Sequence, residues 1–436
     1  MKRKAFMIIS VLAGALPVSM HAQQETADSV QLSYRNFEQK VLDYSQELKQ
    51  SREKQVAMKK AMQTAKASFF PTIDLAANYR YRINDYEMPM GEVALPIKHD
   101  SYDVGVTVAQ PIYAGGNVVH NYRSQKIQSE IANLGTTLTE ENMVFAAERS
   151  YWSASAQKEM YEVMCRYTNI VGELVEVLEE RYAEGLISKT DLIQMQVRLK
   201  DAEVQRSTTF ENYMLSVQAM NILMGKNPTD HLNITDSIST DLGMPALANI
   251  DAVLNVRPDY AISKLGVDQQ RTQVKLSSAK YNPTVSVGYQ GVWGTQMINI
   301  NGDTKFNSTL FLSFKLPLLR SGARFKSHGA QKALLHAKQF ELQSKQDQIS
   351  KELASSWTSV TESKNRIELA KENCDLADEN LEMNTFSYTE GKLSVLDVLS
   401  AQLTWIQAYT NLVQSYYKEK MAQAQYKKAA GLRYNL

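Results

Sequence analysis

The chain has 436 residues, 48 Lys and Arg against 47 Asp and Glu, a formal net charge of +1, and two cysteines. A balance this close to neutral, with the basic residues dispersed along the sequence, excludes the electrostatic footprint of a nucleic-acid binder. Two cysteines in so long a chain exclude a disulfide framework.

The N-terminus reads as a secretory signal peptide over 1–22. Lys2, Arg3 and Lys4 form a positive stretch, Ala5 to Val18 is apolar, and small residues around Ala22 offer a cleavage site. The apolar run is shorter than a spanning helix needs. No Cys lies at the cleavage point to carry a lipid. No later run of 18 apolar residues occurs, so any crossing of a membrane falls to strands.

A helical pattern without Gly or Pro runs from about Val30 to Lys66, and Pro71 closes it. Thr72 to Ile83 then alternates: Ile73, Leu75, Ala77, Tyr79, Tyr81 and Ile83 against Thr72, Asp74, Asn78, Arg80 and Arg82. A polar loop with Pro89, Gly91 and Pro96 leads to Tyr102–Gln110, which alternates again. The second half repeats this with Thr284–Gly294 and Ser308–Leu316, joined by a loop with Asn301, Gly302 and Asp303. Strict period two marks strands. Four of nearly equal length, about 9–11 residues, suit membrane strands with aromatic residues near their ends. Four cannot close a barrel, because the smallest have eight strands, so a barrel here takes several chains.

After each strand pair, Pro111 with Gly116 and Pro317 with Gly322 introduce a helical stretch of about 68 residues, about 100 Å long at ~1.5 Å per residue. In the second, Leu353, Val360, Ile367, Cys374, Leu381 and Tyr388 recur every seven positions. Ser356, Ser363, Ala370 and Ala377 follow three behind, a coiled-coil seam with small partners. Cys374 is thereby assigned to packing. Each long helix ends in a related turn, Tyr182–Asp191 (YAEGLISKTD) and Tyr388–Asp397 (YTEGKLSVLD), 206 residues apart (388 less 182). A helix of about 36 residues follows each. A fixed offset of this kind is the mark of tandem duplication. It divides the mature chain into a first repeat at 23–230, a linker at 231–250 and a second repeat at 251–436. In each half the two shorter helices together match the long one and can flank it end to end.

Catalytic patterns are missing. No His-Glu-x-x-His, Walker A loop, nucleophile elbow or dinucleotide fingerprint occurs. Ser155-x-x-Lys158 and Ser277-x-x-Lys280 are chance matches in Ser- and Lys-rich helices, and scattered Met is core filler. No enzyme activity, cofactor or metal is expected.

Taken together, the two Y-x-x-G-x-x-S/T-x-x-D turns, the F-x-P-T and N-P-T strand openings at Phe69–Thr72 and Asn282–Thr284, and the 206-residue repeat resemble the TolC-like outer membrane factor family. The resemblance implies an α+β membrane protein: a homotrimer with a 12-stranded β-barrel in outer membrane lipid and a 12-helix tunnel through the periplasm of a Gram-negative bacterium. It implies a passive exit duct for efflux or type I secretion, opened by a periplasmic adaptor and powered by an inner-membrane pump of RND, ABC or MFS type. Carried over by position, Gly185, Leu186, Gly391 and Lys392 are adaptor contacts. Asp397 supplies a constriction carboxylate, and Tyr388 and Asp191 help hold the tip closed. Many relatives carry a second acid where this chain has Ser400, and a basic partner where it has Leu393, leaving Lys392 or Lys189 as substitutes. Asp74, Arg80, Arg82 and Lys315 face the barrel lumen. The same tip residues also suit plain helix capping: Gly as C-cap, Ser and Asp at the next N-terminus. The rival of another class is a secreted coiled-coil scaffold whose strands form a soluble sheet.

Overall fold

In the computed structural model the described residues are 30–90, 93–295, 300–318 and 321–432. The signal stretch 1–22 and Gly91 lie outside them. Four strands form one antiparallel sheet in the order β2 (Thr72–Tyr81), β5 (Asp100–Ala114), β7 (Thr284–Gly294), β8 (Lys305–Lys315). The sequence alternation survives into three dimensions because the register keeps parity across the strands. Ile73 faces Val108, Leu75 faces Val106, Val108 faces Tyr289 and Tyr289 faces Leu310. One face is therefore apolar and nothing among the described residues covers it: Ile73 and Leu75 are 74 % exposed and Leu310 81 %.

The helices repeat the strand order. α2 (Gln46–Ala67) runs into β2, β5 into α3 (Asn117–Ala183), α6 (Pro258–Ala279) into β7, and β8 into α7 (Ala323–Thr389). Laterally the packing order is α2, α3, α6, α7, so each strand stands over its own helix. At the strand-to-helix corner Gly115 has φ 64°, and a Cβ there would sit 2.6 Å from the Ala279 carbonyl. Only glycine allows this approach, which Asn282 closes by donating to the Gly115 carbonyl at 2.9 Å.

The two long helices have 67 residues each, and the hairpin partners α4 (Lys189–Leu223) and α8 (Val395–Ala429) have 35 each. The predicted seam on α7 is buried at Leu353, Val360, Cys374, Leu381 and Tyr388. Cys165 and Cys374 are free thiols. α4 covers the far half of α3, and α2 with α1 (Tyr34–Tyr44) covers its near half, the end-to-end flanking that the helix lengths required.

Two expectations are corrected, and the linker gains detail. The first helix is not continuous from Val30. Val30–Leu32 is a strand (β1), and the helix breaks at Ser45, whose Oγ accepts the Leu48 N–H at 3.2 Å and starts α2. The loop between the first two strands holds a hairpin, β3 (Glu87–Met90) with β4 (Val93–Pro96), too short for alternation to reveal. The polar linker is structured. Its β6 (Leu232–Ile234) pairs in parallel with β1, 202 residues away (232 less 30), and the following segment is strapped along α8. Gln423 donates to the Gly243 carbonyl and Tyr426 to that of Ala246, both at 2.8 Å, while buried Lys420 donates to that of Thr240. One bond recurs every three residues on both partners, so the strap advances in step with the helix, a little under one turn per bond. Beyond the strap, α5 (Ile250–Val256) and α6 are separated because Pro258 forces Arg257 into an extended conformation. Arg257 is held there by Asp259 at 2.7 Å and Glu352 at 3.0 Å.

Candidate functional site

Both helical tips are built the same way. Gly185 and Gly391 have φ of 77° and 73°, left-handed values that end a helix without Cβ strain. Leu186 N–H reaches the Arg181 carbonyl and Lys392 N–H that of Ser387, each at 2.9 Å, closing the last turn. Leu186 is 67 % exposed at the outermost bend, and Gly185, Gly391 and Lys392 are exposed beside it. The new helices start differently. At the first tip Ser188 Oγ accepts the Asp191 N–H at 3.1 Å. At the second, the Asp397 carboxylate takes both the N–H and the hydroxyl of Ser394, at 3.0 and 2.7 Å. Those bonds to Ser394 hold Asp397 below the usual carboxylate range, so it is charged at neutral pH.

The capping reading thus holds for Ser188, Ser394 and Asp397, and it leaves Asp397 an exposed anion. Ser400 lies one turn further on, also exposed, its carbonyl occupied by Thr404 Oγ1 at 3.0 Å. It supplies no second carboxylate.

Asp191 and Tyr388 are brought together from the two hairpins. Tyr388 is buried, its hydroxyl without a hydrogen-bond partner among the described residues. Burial raises its phenol pKa, the Asp191 charge raises it further and Arg181 opposes. Arg181 donates to the Thr389 carbonyl, tying the end of α3 to the end of α7. The basic residue bridging the hairpins is therefore Arg181. Lys392 and Lys189 have no carboxylate partner among the described residues. The only sequence signal was its place beside Tyr182, one residue before the repeat motif begins.

A second missed site lies higher in the α7–α8 hairpin. Asp378 accepts Trp405 Nε1 at 2.5 Å and the Tyr409 hydroxyl at 2.8 Å. Burial, then Asp378, push the Tyr409 phenol up to about 12. The Arg166 guanidinium of α3 lies 5.2 Å from the Tyr409 ring centre.

On the sheet, Asp74, Arg80 and Lys315 are exposed on the face opposite the apolar one. Arg80 is not a free cation: it pairs with Asp103 at 2.7 Å, and Asn78 donates to the other oxygen of Asp103 at 2.8 Å. Asp103 was on the polar face in the sequence, but only the register shows that it neutralises Arg80. Arg82 lies just past β2, its N–H bonded to the His99 carbonyl at 2.6 Å and its guanidinium 5.3 Å from the Tyr86 ring centre. Among the described residues no helix is long and apolar enough to cross a membrane.

Comparison with known proteins gives one family. The family model described as outer membrane efflux protein matches residues 37–226 and 249–432. Among solved structures, the outer membrane protein VceC of Vibrio cholerae is 17 % identical, with a TM-score of 0.80, over 91 % of this chain and 96 % of that one. A membrane protein from Pseudomonas aeruginosa is 14 % identical, TM-score 0.81, over 93 % and 94 %. The CmeC outer membrane channel of Campylobacter jejuni is 15 % identical, TM-score 0.79, over 91 % and 85 %. At these identities the likeness is one of fold. No match was found among curated proteins.

Proposed function

This chain belongs to the outer membrane efflux protein family, and from that premise we propose that it is the exit duct of a tripartite efflux or type I secretion system. Membership places it in the Gram-negative outer membrane as an efflux channel. The finer reading is a homotrimer, each chain giving four strands to a 12-stranded barrel and its hairpins to a periplasmic tunnel, the two halves related by duplication. One observation carries it. The sheet has an uncovered apolar face and two unpaired edges, β2 and β8, above helices of about 100 Å. Open edges and bare apolar strands are satisfied together only by closure with further copies in lipid.

In this reading the duct is passive. A periplasmic adaptor docks at Gly185, Leu186, Gly391 and Lys392, and an inner-membrane pump supplies energy. The closed tip is held by Arg181 and Asp191 and by packing of the buried Tyr388 ring, with one Asp397 carboxylate per chain forming a ring of three. The inner strand residues Asp74, Arg82 and Lys315, with the Arg80–Asp103 pair, line the lumen. Opening is a rearrangement of the hairpins biased by the adaptor. The test is purification of the full chain from membranes. A heat-modifiable trimer on gels that forms ion channels in planar bilayers is expected. Recovery only in the soluble periplasmic fraction, as monomer and without channels, would point instead to a scaffold.

A further inference from the structure

The cations that look dispersed along the sequence are gathered by the fold. Four stretches contain Lys or Arg but no Asp or Glu: 54–67, 117–129, 269–280 and 323–340. They come from widely separated parts of the chain, yet they are the barrel-side ends of α2, α3, α6 and α7, side by side beneath the four strands. The opposite ends of α3 and α7 are acidic. Glu173, Glu176, Glu179, Glu180 and Glu184 outnumber the single Arg181 at the end of α3, and 372–389 on α7 has no Lys or Arg. A chain that is neutral overall is thus polarised along its long axis.

Within about two helical turns of the strands, Lys66, Arg123, Lys275 and Lys326 are all exposed. Pairing in the belt is confined to its margins, Lys126 with Glu130 at 3.9 Å, Arg271 with Asp268 at 2.5 Å and Lys338 with Glu341 at 2.7 Å. The four named cations have no carboxylate partner among the described residues. His120, inside the belt, feels the field: burial first, then Lys275 and Arg123, depress its pKa. Exposed aromatic residues, Phe70 and Tyr113, mark the boundary with the apolar sheet face.

Three of the four strands have 10 or 11 residues, β5 being longer at 15, and a strand of that shorter length, tilted as membrane strands are, spans little more than the hydrocarbon layer. The belt just below it is therefore level with the periplasmic headgroups. We propose that this collar binds the anionic headgroups of phospholipids in the inner leaflet of the outer membrane. The inference rests on the sheet being the membrane-spanning part. Lys and Arg near a lipid surface attract anionic headgroups cumulatively, and long side chains lay their stems along apolar surface while the charge stays in the headgroup layer.

The experiment uses the full-length protein in phosphatidylcholine vesicles containing a minor fraction of phosphatidylglycerol. The readout is the lipid retained after extraction. Phosphatidylglycerol is expected to be enriched by about fivefold or more over its bulk fraction, and the enrichment to collapse toward ~1 M salt, where the screening length is ~3 Å. The quadruple variant Lys66→Gln, Arg123→Gln, Lys275→Gln, Lys326→Gln should lose most of it while still forming channels. Wild-type enrichment near unity overturns the inference whatever the variant does. So does a variant that keeps full enrichment, or one whose only change is in ion selectivity, since the cations would then line the lumen. Channel formation is scored separately, so a failed collar leaves the membrane reading standing, and a protein that never enters membranes defeats both.

Discussion

The α3–α4 and α7–α8 hairpins share one backbone, 67 residues, a glycine turn and 35 residues, but they are held by different chemistry. In α7–α8, Asp378 clasps Trp405 and Tyr409 across the pair. The positions 206 residues earlier are Gly172, Leu199 and Glu203, which form no such clasp, and the gap at Gly172 is met by the Leu199 side chain. α3 is the central helix of the chain, flanked by α2, α4, α6 and α8 and buried along much of its length, and its polar bonds are placed elsewhere: Gln196 donates to Glu179 at 3.0 Å near the tip, and Tyr151 and Ser155 donate to Asp236 at 2.8 and 2.9 Å. α7 stands at the edge of the chain, with Leu369, Leu376 and Met383 exposed. A repeated frame is thus stabilised according to where each copy sits. The central α3 spreads its packing and its polar bonds over several neighbours, whereas the edge helix α7 adds the Asp378 clasp to its apolar seam against α8.

The largest effect should follow from breaking the clasp. Asp378→Ala leaves the buried Trp405 N–H without its acceptor and should cost ~1–3 kcal/mol, seen as a lower melting temperature. Gly172→Ala in the other hairpin has room for its methyl and should not lower stability. Equal losses in both hairpins would end the distinction. The clasp also has an alkaline limit. The Tyr409 phenol is raised to about 12, against ~10 when unfolded, so its contribution is complete below ~10 and is lost as pH rises toward 12. Thermal melts across that window should show the loss, and Tyr409→Phe should reduce it.

The two tips offer a smaller contrast. Ser188→Ala removes an N-cap acceptor and should cost ~1 kcal/mol in thermal melts. At the other tip, Asp397→Ala should raise single-channel conductance and weaken block by divalent cations, because it removes charge as well as a cap. Since Asp397 is depressed, block should persist through mildly acidic pH and fade only as pH falls through its folded-state value, below the usual carboxylate range. Unchanged conductance and block in planar bilayers would limit Asp397 to capping. The smallest effect is expected of Tyr388→Phe. The hydroxyl is buried without a partner among the described residues and the ring stays in place, so its loss should leave stability within ~0.5 kcal/mol and the channel closed. A clear rise in conductance would show that another chain of the trimer supplies the partner.

The strands, the long helices, the glycine caps and the Leu353-to-Tyr388 seam were legible because each is written in residues close together in sequence. Period two, period seven and a Gly-then-Ser turn are local consequences of backbone geometry. The candidate site was legible only in part. Asp191, Tyr388 and Asp397 stand out through the repeat, whereas Arg181 bonds to Thr389 across 208 residues and no pattern joins them. Short strands such as β1 and β6 carry too few residues to alternate, and they form only because each finds the other. The strap along α8, the neutralised Arg80 and the collar of cations have the same origin. The four sheet strands, the long helices and their caps can be read from the chain alone, since propensity, periodicity and capping act within a few turns. Which charges meet and which stay unpaired emerges in three dimensions, because Coulomb attraction and hydrogen bonding depend on distance in space, and folding brings together residues hundreds of positions apart.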